Sequence, residues 1–221
     1  MENSNPTLVR LTGLLLIAGA IIFWSVIVPA IIYQVRTGSP PFKDSSGVPA
    51  REFYDSITAH PNWWLFVNVF FALGIVVTGF GLTTFQSLLT GAGDRVFSAV
   101  AGMSFLIGTT LWLVLFTFNL SVVVWAARET ASQGAVPAGS EAWLLWTEQI
   151  VILYMLLAYF SIAAFGGAIL NTNLLANWMG WTSVAVGLGG VVSILLRGSG
   201  FAIPLLIHIV PFTIGILLLL E

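Results

Sequence analysis

Six apolar runs, at 11–33, 63–85, 96–127, 142–170, 178–196 and 201–220, alternate with polar stretches along the chain. A helix crosses a bilayer with about 20 mainly apolar residues, so each run predicts one spanning helix. Apolar residues fall on every side of these runs, as in Leu111 to Val124, and do not alternate as the strands of a membrane β-barrel would. The pattern predicts an all-α membrane protein, a single domain 1–221 of six transmembrane helices. Short connections force successive helices to run in opposite directions, so the bundle is expected to be antiparallel. The run at 11–33 is preceded by Arg10 alone and followed by no small-residue cleavage pattern, which predicts a retained helix and not a secretory signal.

The connection 34–62 is the sizeable one and carries Arg36, Lys43, Asp44, Arg51, Glu52, Asp55 and His60. Gly, Pro and Ser crowd Gly38 to Pro49, predicting irregular chain. Pro49 to Ala59 suits a short interfacial helix with Phe53, Tyr54 and Ile57 turned to lipid or to the bundle. Pro61 fits the first turn of the next helix, and Trp63 and Trp64 stand at the level of interfacial aromatics. Let side A carry the termini and the second and fourth loops, and side B the first, third and fifth. Arg10 and Arg95 fall on side A, and Arg36, Lys43, Arg51, Arg128 and Arg197 on side B. The positive-inside rule thus favours side B in the cytoplasm by five to two.

Composition sharpens this picture. With 58% hydrophobic and 7% charged residues and a mean hydropathy of +1.00, the chain carries more apolar surface than a soluble core of its size can hide. Its first partner is the lipid bilayer. A net charge of −2 with seven Lys and Arg leaves no basic patch for nucleic acid. The absence of cysteine removes disulfides, thiolate ligands and thiol nucleophiles.

Candidate chemistry lies in the polar residues inside the spans. Apart from Ser and Thr, which bond back to their own helix, these are Asn68, Asn119, Glu148, Gln149 and His208. All fall in the half nearer side B, roughly 7 to 12 Å below that face at the helical rise per residue. They form a candidate polar cavity, with His60, Arg128, Glu141 and Arg197 as its rim. Pro29 and Pro211 free the carbonyls of Ser25 and Ile207 at a similar depth. An acid that deep must face the bundle, find a partner or hold a proton. Glu148 is as readily a structural bond as a ligand or proton site. Glu141, one heptad earlier on the same face, offers a rung nearer water, and Arg128 or Arg197 a cation for either acid.

His208 reads first as a structural bond to a neighbouring helix, ahead of a metal, haem or proton role, and His60 as an interfacial residue. The two histidines lie about 10 Å apart in depth, too far to clasp one haem. Glu148 and His208 alone lack the further ligand of a metal site. No cofactor and no catalytic residue is identified.

Small residues four apart, Ser98 and Gly102, Ser104 and Gly108, Ala163 and Gly167, and Ser183 and Gly187, predict close helix packing. Ser183 and Gly187 are expected to form an outward face for a partner. The segment Ala164-Phe165-Gly166-Gly167-Ala168-Ile169-Leu170, then Leu174-Leu175-Ala176-Asn177-Trp178-Met179-Gly180-Trp181, with the opening Arg10-Leu11-Thr12-Gly13-Leu14-Leu15, resembles an uncharacterised family of six-helix bacterial integral membrane proteins. There a small-residue helix end, a Leu-x-x-x-Trp loop and an immediate new helix recur. The resemblance implies a six-helix fold and a bacterial inner membrane, and no activity. It also implies cytoplasmic termini, opposite to the Lys and Arg count, so orientation stays open.

Three functional classes follow. The first is a non-catalytic accessory or scaffold subunit, joined to other membrane subunits or to copies of itself; it rests on the small-residue faces, the sparse extramembrane structure and the end at Leu220-Glu221. The second is a small transporter or ligand-binding bundle whose polar cavity opens to side B, although no inverted repeat is visible. The third is an intramembrane enzyme using Glu148 or His208, which needs a second activated group that no motif supplies.

Overall fold

Apolar runs in lipid satisfy their backbone by forming helices, and the computed structural model has helices joined by short turns, and no strand, among the residues it describes, 5–37, 49–172, 174–197 and 204–220, with backbone alone at 31, 33–37, 197, 204 and 205. The elements are α1 (Pro6–Thr37), α2 (Ala50–Ala59), α3 (Pro61–Gly91), α4 (Phe97–Phe118), a π-helical turn (Asn119–Val123), α5 (Val124–Gln133), α6 (Ser140–Thr172), α7 (Asn177–Arg197) and α8 (Pro204–Leu220). Among the described residues five helical stretches are long and apolar enough to cross a membrane: Pro6–Ala30, Pro61–Gly91, Phe97–Gln133, Ser140–Thr172 and Asn177–Leu196. The last apolar run appears as the shorter α8. The irregular chain expected at Gly38 to Pro49 lies, from 38 to 48, outside the described residues.

Packing follows the small residues. α1 lies against α3 and α8, α4 against α3 and α6, and α7 mainly against α6. A methyl group added at Gly81 would meet Leu16, at Gly19 the backbone of Thr78 (2.6 Å to its N), and at Gly74 the backbone of Phe23 (2.9 Å). Gly13 and Gly215 press on each other's carbonyls at 2.9 and 2.8 Å from their would-be Cβ positions, joining α1 to α8. In lipid, where apolar burial gives no drive between helices, this close approach supplies the dispersion contacts that do.

The expected outward face on α7 is corrected. Ser183 is fully buried, and a Cβ on Gly187 would lie 2.6 Å from the Tyr159 carbonyl oxygen of α6. The other pairs also turn inward: Gly102 faces Gln86, Gly108 faces Tyr154, and Gly167 faces Phe97. Four-residue spacing specifies a close helix contact without specifying which chain supplies the second helix.

α2 forms as expected. Its apolar positions Phe53, Tyr54 and Ile57 turn to the bundle, where they make a second small core with Trp64, Val123, Ala126, Ala127 and Leu144. Trp64 is correspondingly buried, 7% exposed. Burial raises the Tyr54 phenol above its ordinary value, and the neighbouring Ser140 hydroxyl works against that rise. The C-terminus of α5 is closed by Gly134 at φ 68°, the left-handed conformation glycine adopts without strain. Its carbonyl accepts from Arg51 of α2 at 3.3 Å.

On the opposite end, Asp94 ties the α3–α4 loop to the start of α4 and the end of α6. Its carboxylate accepts from the Ser98 backbone N–H at 2.7 Å and from the Asn171 amide at 3.0 Å. Burial works against the charge, but these hydrogen bonds outweigh it and hold Asp94 below the ordinary carboxylate value. With the folded value below the unfolded one, this contribution is present above about pH 4 and is lost as pH falls through the folded value. Asp94→Asn should cost about 1 kcal/mol at neutral pH, the size of one hydrogen bond, because the new amide NH2 cannot accept from Asn171, and remove this acid-sensitive part. Melting in detergent at pH 7 and at pH 3.5 measures both; an unchanged acid response would contradict the assignment.

Candidate polar cavity

Two of the predicted polar residues meet. Asn119 Nδ2 donates to Asn68 Oδ1 at 2.9 Å, and Asn68 Nδ2 donates to the Trp64 carbonyl one turn back at 3.0 Å. The Trp64 indole N–H then donates to the Asn119 carbonyl at 3.3 Å. Asn68 is buried and bonded through both its amide oxygen and its amide nitrogen, whereas Asn119 is half-buried. Asn119 begins the π-helical turn, a distortion found disproportionately at functional positions.

These groups line a cavity of about 200 Å³ between α3, α4, α6 and the α2 cover. Its walls are mainly aromatic and aliphatic, with Phe53, Trp64, Phe71 and Trp112 prominent and Leu115 and Val151 between them; Thr147 is the third polar member. Thr147 spends its hydroxyl on the Leu144 carbonyl at 2.7 Å. Asn119 Oδ1 and the second Nδ2 hydrogen form no bond among the described residues and remain available. An apolar volume of roughly 150 Å³ already admits a benzene ring. The chemistry offered is therefore a largely apolar, aromatic-lined space with one directional polar group.

The other predicted residues lie elsewhere. Glu148, next to Thr147 in sequence, is half-buried and not among the lining residues, and Gln149 is exposed. His208 is fully buried, stacked on Phe23 with ring centroids 3.9 Å apart and bonded through Nδ1 to Thr78 Oγ1 at 3.2 Å. Nε2 has no protein partner among the described residues. Phe23 in turn packs on Phe71 at 4.8 Å, so His208 stands behind the cavity wall.

Of the expected rim, His60 and Glu141 are exposed, Arg128 lines a separate crevice, and the Arg197 side chain lies outside the described residues. Among the described residues no three His, Asp or Glu side chains gather as a metal site would require.

Phe71 and Thr147 carry no mark of a cavity residue in the sequence, whereas Trp112 is one of the tryptophans deep in a span that can be read as lining a pocket for an apolar ligand. Trp64 carried a signal: it stands four residues before Asn68, one helical turn away on the same face. Compared with known proteins, the chain matches no family model, no curated protein and no solved structure.

Proposed function

We propose that the chain is an integral membrane protein whose five long helices and α8 cross the bilayer as an antiparallel six-helix bundle, and that it binds a small, largely apolar molecule in the cavity on Asn119. The contacts of Leu16, Gly19 and Phe23 with Gly81, Thr78 and Gly74 in reverse order support antiparallel packing of α1 on α3. At 17 residues, α8 has the length of a short span, roughly 25 Å. The resemblance at 164–181 supports a bacterial inner membrane as its location.

The observation that carries the binding reading is the cavity itself, apolar-walled and furnished with a half-satisfied amide at a π-helical turn. Ligand sites commonly pair a mostly apolar pocket with a few directed polar groups. A planar molecule bearing one donor or acceptor suits this one, reached from the side of α2. The small-residue faces, one of the three motives for the accessory-subunit reading, are used within the chain.

Asn119→Ala should weaken retention of such a molecule about fivefold, the effect of one hydrogen bond, while the protein still extracts folded, its stability lowered by about 1 kcal/mol because the buried Asn68 Oδ1 loses its donor. Titration with indole, followed by the mass of the intact complex, measures it. Equal affinity in both proteins would remove Asn119 from the site.

A further inference from the structure

A second recess lies on the far face of Trp64, independent of the cavity. It is a crevice of about 370 Å³ between the α2–α3 junction and the run from the π turn into α5. Leu65, Leu120 and Val124 supply its apolar floor, and Asn62 and Arg128 its polar edge. Leu65 is 51% exposed and Trp125, on the next turn of the same run, 49%, so this flank faces lipid. The level is that of the bilayer boundary: α3 begins here, and the surface helix α2 ends here.

Arg128 is the one charged side chain among the lining residues. Asp55 of α2 pairs with Arg51 at 3.9 Å, and Glu129, beside Arg128 in sequence, holds Gln133; the Arg128 side chain is exposed. The crevice therefore presents an exposed guanidinium above a lipid-facing apolar floor.

We propose that this crevice binds the headgroup of an anionic phospholipid, with the phosphodiester on the Arg128 guanidinium and one acyl chain along Leu65, Leu120 and Val124. A guanidinium matches a phosphate by paired, charge-assisted hydrogen bonds. Basic residues beside spanning helices are drawn to anionic lipids at this depth. The Asn62 amide lies at the same edge and offers a further donor to the headgroup. A free phosphate would use the cation and leave the apolar floor bare, which is why the lipid is the occupant.

The test places wild-type protein in nanodiscs of equimolar phosphatidylglycerol and phosphatidylcholine with matched acyl chains and weighs the lipid that stays bound after ejection into the mass spectrometer. Phosphatidylglycerol should be retained in about fivefold preference, the size expected of one arginine at a membrane surface. The preference should vanish in Arg128→Gln and persist in Arg51→Gln, whose side chain lies outside the crevice. Equal retention of the two lipids by the wild type would overturn the proposal without recourse to any variant, as would an undiminished preference in Arg128→Gln. Displacement of the bound lipid by millimolar inorganic phosphate would assign the site to a free anion and overturn the lipid.

Discussion

Gly187→Leu should separate α7 from the rest of the bundle. A Cβ at this position would lie 2.5 Å from the Ala163 backbone N and 2.6 Å from the Tyr159 carbonyl oxygen, and backbone atoms cannot turn aside as a flexible side chain would. Relief requires the two helices to part, yet α7 makes few contacts with any other described element. The cost should therefore exceed about 3 kcal/mol, the upper end for overpacking a core that can adjust. The natural chain has no cysteine, so a single Ser183→Cys reporter, buried in the wild-type packing, reads the separation cleanly. Maleimide should label it slowly in the parent and fast beside Gly187→Leu. A wild-type melt and slow labelling, with loss of an associated protein, would instead return this face to the partner role expected from its spacing.

His208→Ala is the second large effect. The ring is fully buried, stacks on Phe23 and engages Thr78, whose backbone also receives Gly19. Truncation leaves a void and an unpaired hydroxyl together, for which about 3 to 4 kcal/mol is expected from comparable buried deletions. His208→Phe keeps the stack and loses the hydrogen bond, which in membrane bundles averages only about 0.6 kcal/mol. Detergent-induced unfolding in mixed micelles should therefore rank wild type and His208→Phe close together and His208→Ala well below. Because Phe23 and Phe71 stand between His208 and the cavity, His208→Phe should leave ligand retention unchanged. A His208→Phe protein as unstable as His208→Ala would mean that the imidazole nitrogens matter more than the packing of the ring.

The helices were legible because six long apolar runs in one chain have few other solutions; even α2 could be placed from Phe53, Tyr54 and Ile57. A shared height was legible for Asn68 and Asn119, which do meet, but not for His208, which the same layer set beside them and which bonds Thr78, ten residues further along α3 than Asn68 and about 15 Å away at the helical rise. What height cannot give is rotation. α6 is apolar on all sides, so nothing in its pattern decides whether Thr147 or Glu148, about 100° apart around the axis, faces the interior. The structure turns Thr147 to the cavity.

The same ambiguity hid the direction of Ser183 and Gly187, because a face suited to close approach looks alike whether its partner is α6 or another protein. The π turn at Asn119 left no sequence mark, and the bond from Asn171 to Asp94 joins the end of α6 to the α3–α4 loop, which only the tertiary fold brings together.

The most direct measurement is the intact mass, with an absorption spectrum, of protein gently extracted from its own membrane, comparing wild type with Val151→Phe, whose larger ring would fill the cavity between Phe71 and Trp112. The expected result is a stoichiometric small-molecule mass on the wild type that is absent from the equally folded variant. The same mass on both proteins, or an extra polypeptide in place of the small molecule, would contradict a ligand in the cavity on Asn119.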